Sequence, residues 1–145
     1  MADVKYHDFF KQCMSKVISC AASGDIFKLQ LHTSTYTPNT DHAVKADLTN
    51  EVVNGNGYTT GGYGFTAANN LCTDDDTGDK AVFDINEDAT WPASSITARY
   101  GVLVDDTPTS PADPLVCCFD FGSDKTTSNG TFTVQFNALG IIDIA

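Results

Sequence analysis

Apolar side chains recur at spacings of three and four from Val4 to Ala22. Tyr6, Phe9, Phe10, Cys13, Met14, Val17 and Ala21 share one side, while Lys5, Lys11, Gln12 and Lys16 fall largely elsewhere. That period predicts one amphipathic helix over residues 4–22. Ser23-Gly24-Asp25 supplies its stop, with Gly24 placed to take a left-handed C-cap conformation. No other segment reads as a convincing helix.

Beyond it the period falls to two. Phe27, Leu29 and Leu31 share one face of residues 26–32, with Lys28, Gln30 and His32 on the other. Ile96, Ala98, Tyr100, Val102 and Val104 alternate with Thr97, Arg99, Gly101 and Leu103. Leu115, Cys117, Phe119 and Phe121 alternate with Val116, Cys118 and Asp120, and Phe132, Val134 and Phe136 repeat the pattern. Such segments predict half-buried strands, each with one face toward a core. Weaker strand signals lie at residues 51–53, 63–67, 81–85 and 141–144.

Turn chemistry separates these runs. Asn54-Gly55-Asn56-Gly57 and Asn129-Gly130 are tight-turn signals, because Asn and Gly accept positive φ, and Thr107–Pro114 is a proline-rich loop. The predicted fold is mostly β: an antiparallel β-sandwich or jelly-roll-like body over residues 25–145, with one N-terminal helix. At 145 residues the chain fits a single domain, 1–145, able to bury roughly two thirds of its unfolded surface without metal or disulfide staples.

Charge narrows the partners. Nineteen acidic residues against eight basic give a net charge of −11, which predicts no nucleic-acid partner and no binding to an anionic membrane. The acidic surface keeps a β protein soluble, or steers it onto a basic patch of a partner. No signal-peptide core and no run of about 18 apolar residues is visible, so the chain is expected to be made in the cytoplasm. The five cysteines show no paired zinc spacing and read as reduced, mostly buried apolar residues. Cys13 and Cys20, seven residues apart on the predicted helix, would lie about 10 Å apart along its axis, too far to bridge. Cys117 and Cys118, adjacent in a strand, should point to opposite faces.

Candidate chemistry is sparse. Asp74-Asp75-Asp76-Thr77-Gly78-Asp79 fits neither frame of an EF-hand loop and reads as an exposed acidic loop, with a weak irregular calcium site left open. His7, His32 and His42 have no metal-ligating spacing, and His32 falls on a polar strand face, where a surface role is the default. Asp105 and Asp106 form the one carboxylate pair with a hydrolase reading, although Asp before a proline-rich loop is ordinary turn chemistry. Gly61-Gly62-Tyr63-Gly64 lacks the lysine and helix of a phosphate loop. Tyr36, Tyr58, Tyr63 and Trp91 lie near turns, where they either contact a partner or sugar, or close the core.

The order of these pieces resembles a family of small structural proteins of tailed-bacteriophage particles. The resemblance is carried by residues 25–39, 47–50, 51–62 with its Asn-Gly-Asn-Gly turn, 81–84, Ala89-Thr90-Trp91, 96–107, 119–123 and 130–141. It covers most of the chain after the helix; the polar insertion 69–80 and the cysteine-bearing helix depart from it. The resemblance implies a non-enzymatic virion protein without cofactor or metal, either a head decoration (cement) protein or a neck or tail component contacting host glycans. It further implies a homo-oligomer bound to the major capsid protein on the capsid surface. The interface residues expected are Tyr6, Phe9 and Phe10 on the helix, with Tyr58, Tyr63 and Trp91 on the loops. In that setting the helix either clips across a seam between neighbours or covers an open edge or face of its own sheet.

Overall fold

The N-terminal helix is much shorter than its apolar period predicts. In the computed structural model, which describes residues 3–144, Val4–Lys5 form a short strand β1 and the helix α1 spans only His7–Met14. Val4 and Lys5 are drawn into pairing with Cys118 and Cys117. At the other end Lys16 takes φ +59°, and the amides of Val17 and Ile18 both turn back onto the Gln12 carbonyl. The fold-back lowers Ile18 into the core, where it is 5% exposed. Tertiary pairing has overridden a local period.

The remaining strands all pair antiparallel. The strands are β2 (Phe27–His32), β3 (Tyr63–Gly64), β4 (Asn70–Asp75), β5 (Lys80–Ile85), β6 (Ala89–Ser94), β7 (Thr97–Asp105), β8 (Leu115–Thr126), β9 (Gly130–Val134) and β10 (Ile142–Ile144). A five-stranded sheet runs β1-β8-β7-β2-β3, beside a three-stranded sheet β10-β5-β4 and a two-stranded pair β6-β9. Phe27, Leu29 and Leu31 of β2, Leu103 of β7 and Cys117 of β8 meet Phe83, Ile85, Trp91, Phe132 and Ile142 from the two smaller sheets in one core. The layering is that of a sandwich.

The opposite face of the large sheet is buried too, contrary to the one-sided strands the alternation predicts. Val102, Val104, Leu115 and Cys118 pack there with Tyr6 and Tyr36 in a second, smaller core. Residues 33–50 cover it, held by Thr33 N–H to Asn50 O (3.0 Å) and Leu115 N–H to Ala43 O (2.9 Å). Gln30 and His32, expected at the surface, are therefore buried. His32 Nδ1 bonds the Thr49 carbonyl at 2.8 Å, and burial holds its pKa below the ordinary imidazole value.

The acidic stretch is also more ordered than its composition predicts. Residues 70–75 and 80–85 pair in continuous register from Asn70↔Ile85 to Asp75↔Lys80, so the polar insertion is largely a hairpin. Its turn is closed by Asp75, whose Oδ1 accepts the amides of Thr77 and Gly78 at 3.1 Å each. Backbone pairing is indifferent to side-chain polarity, and most β4 side chains stand in solvent. At the weaker signal 51–53, by contrast, only Glu51 forms a bridge, to His32.

Candidate functional site

β8 outruns its neighbour. β1 pairs with it only at Cys117 and Cys118, and beyond them no other strand among the described residues joins that edge. β9 likewise has one edge on β6 and, among the described residues, no strand on the other. Between the exposed stretches of β8 and β9 lies an open groove of about 600 Å³, lined by both strands and by the segment Gln135–Asn137.

The floor of the groove is aromatic. Phe119 lies 5.5 Å from Phe136, and Phe121 lies 6.3 Å from Phe132, which stacks edge-on against Trp91 at 6.0 Å. Phe119, Phe121 and Phe136 are only half-buried. Thr126, Thr127, Thr131 and Thr133 supply hydroxyls along the walls, and Lys125 and Asp120 supply charge. Asp120 is fixed by a two-pronged contact with Arg99, Nε to Oδ1 and Nη2 to Oδ2, both 3.1 Å. The Arg99 guanidinium, with the Gly122 amide, holds the Asp120 carboxyl below its usual range. The groove thus offers an apolar strip with polar rims and two strand edges, the features that receive an extended peptide.

The expected interface residues lie elsewhere, and most lie inside. Tyr6 is fully buried and shares a 3.0 Å hydrogen bond with the Tyr36 hydroxyl; Phe9 is 2% exposed and contacts the half-buried Phe10 edge-on at 5.2 Å. Tyr58, Tyr63 and Trp91 do come together, with Trp91 6.0 Å from Tyr58 and 5.8 Å from Tyr63. Yet Tyr58 and Trp91 are 2% and 5% exposed, so the cluster anchors loops to the core. The Tyr58 hydroxyl donates to Glu51 Oε1 at 2.7 Å and accepts the Leu31 amide at 3.1 Å. The Tyr63 hydroxyl donates to Glu87 at 2.9 Å. As folded, Tyr6, Phe9, Tyr58 and Trp91 are packing residues, which corrects their assignment to a surface; Phe10 and Tyr63 keep partial exposure. Aromatics near Gly-rich turns serve here to close those turns onto the sheet.

The groove aromatics were visible in the sequence only as inward-facing residues of their strands. What the sequence could not show is that the sheet covering them is interrupted. The one available signal was length, since the apolar alternation continues to Phe121 on β8 and to Phe136 beyond β9.

The carboxylate pair is split by the fold. Asp106 binds Lys28 at 2.7 Å at the sheet margin, whereas Asp105 is completely buried. Asp105 Oδ1 accepts the Thr107 amide, and Oδ2 has no hydrogen-bond partner. Burial, reinforced by the neighbouring Asp25, pushes the Asp105 carboxyl up to about 8. Among the described residues no three His, Cys, Asp or Glu side chains are placed to hold a metal ion, the acidic turn included. No helix among them is long and apolar enough to cross a membrane.

No protein-family model, no curated protein and no solved structure matches the chain.

Proposed function

We propose that the chain is a non-enzymatic structural protein of a tailed-bacteriophage particle, acting as a head decoration protein that binds the major capsid protein on the outer shell. One observation carries this reading: an aromatic-floored groove, open to solvent and bordered by two unpaired strand edges, on a body of net charge −11. A half-exposed apolar strip beside strand edges that no further strand covers receives another chain. The sequence resemblance supplies the setting, a phage particle.

The mechanism is additive. Each copy seats an extended segment of the capsid protein in the groove, and many modest contacts across capsomer seams together oppose internal pressure. The N-terminal helix, with Phe9 and the preceding Tyr6 turned inward, serves the body rather than a neighbour.

Purified protein mixed with expanded shells should sediment with them to saturation. Phe121→Ser and Phe119→Ser, both at half-buried positions, should fold and lose most of that binding. Failure of the wild-type protein to bind at any salt concentration would sink the proposal, and unchanged binding by both variants would remove the groove from it.

A further inference from the structure

We propose that Cys13 and Cys20 are a reversible redox pair, joined as a disulfide by low-molecular-weight disulfides and reopened by thiols. Helical spacing would keep the two apart, but the helix stops at Met14. The chain then folds back through Lys16 at φ +59°, with Val17 N–H on Gln12 O at 2.9 Å. A second loop closes behind it, with the Ser19 amide on Asp25 Oδ2 at 2.6 Å and the Asp25 amide on Ser19 O at 3.1 Å. Between these two closures Cys20 is carried back toward the end of α1, and Cys13 and Cys20 line one and the same cavity.

Both thiols are partly exposed and open onto a largely apolar cavity of about 250 Å³ walled by Phe9, Ile18 and Phe83. Cys72, exposed on β4, stands on the same wall as a third thiol. The cavity gives the sulfurs room to rotate into bonding geometry.

The chemistry is thiol–disulfide exchange. Cys13, at the end of α1, is the attacking sulfur, and the neighbouring Cys20 side chain favours its thiolate. It attacks a small disulfide such as oxidised glutathione; that S–S bond breaks, one half leaves as a thiol and the other stays on Cys13. Cys20 then gives up its proton and attacks the Cys13 sulfur, expelling the second half. Two protein thiols are oxidised, one small disulfide is reduced to two thiols, and the protons leave with them. The product bond pins the return loop to the helix, a junction that otherwise rests on hydrogen bonds and Ile18.

Trypsin makes the test direct, because Lys11, Lys16 and Lys28 place Cys13 in peptide 12–16 and Cys20 in peptide 17–28. Native protein is treated with oxidised glutathione, alkylated, digested and examined by mass spectrometry. A linked 12–16/17–28 pair in most chains is expected, retained in Cys72→Ser, absent in Cys20→Ser and released by dithiothreitol. Stable glutathione on separate cysteines, a dominant link to Cys72, or two alkylated thiols would each overturn the proposal. A denatured control giving mixed pairings would show that the native fold selects the bond.

Discussion

Val102 and Leu103, neighbours on β7, lie in different cores: Leu103 beneath the smaller sheets, Val102 beneath the covering segment 33–50 with Tyr6 and Tyr36. Both are fully buried. β7 is thus a central strand covered on two sides, although its sequence alternates as if one face met water.

Truncation should reveal both cores. Leu103→Ala is expected to cost about 2–5 kcal/mol in denaturant unfolding. Val102→Ala should cost well over the roughly 0.5 kcal/mol typical of surface positions. A Val102 effect within that surface range would mean that the 33–50 segment does not seal the sheet.

Gly61 and Gly62 offer a matched pair. Both hold positive φ, +99° and +84°, but a Cβ on Gly61 meets open space while one on Gly62 runs into the Leu29 carbonyl. Gly61→Ala should therefore cost roughly 1–2 kcal/mol, the left-handed penalty alone. Gly62→Ala should cost distinctly more, because β2 or the turn must shift as well. Equal losses in thermal melts would contradict this.

Asp105 makes stability depend on pH in an unusual direction for a carboxyl. Its folded pKa lies near 8 against an ordinary 3.8, so between those values the folded chain keeps a proton that the unfolded chain releases. Stability from this group is fully present below about pH 4 and is lost as pH rises to about 8. Asp105→Asn keeps the oxygen that accepts the Thr107 amide and removes the titration. The variant should match the wild type near pH 4 and exceed it above pH 8, by an amount on the order of a few kcal/mol. Parallel pH profiles for the two proteins would contradict the assignment.

His32 works the other way. Its folded pKa is lowered by burial, so the unfolded chain takes up a proton first and stability falls as pH drops below about 6.5. His32→Asn should lose that acid-side slope, whatever its cost at neutral pH.

Much of the body was legible because its strands obey a period of two. The runs now seen as β2, β7, β8 and β9 all announce themselves, and Cys117 and Cys118 do face opposite cores as the pleat requires. The apolar period overextends the helix at both ends, because the positions of Val4 and Lys5 are set by pairing with β8 and those of Val17 and Ala21 follow the fold-back at Lys16. β4 is not legible in the sequence, because a strand with mostly exposed side chains carries no apolar alternation. The second core stayed hidden because its cover, residues 33–50, is irregular backbone with no period at all. The same gap misplaced His32 and Tyr6, since burial on that face depends on a segment that only the tertiary fold brings across. The groove was beyond reach for a related reason: where strand pairing stops is a property of neighbours, not of β8 or β9.

The most direct measurement is the copy number of this chain relative to the major capsid protein in purified particles, from a quantified gel. A decoration role requires a ratio near one, or a simple fraction set by the shell's symmetry. A dozen copies or fewer per particle would move the protein to the neck or tail, and its absence from particles would contradict a virion role outright.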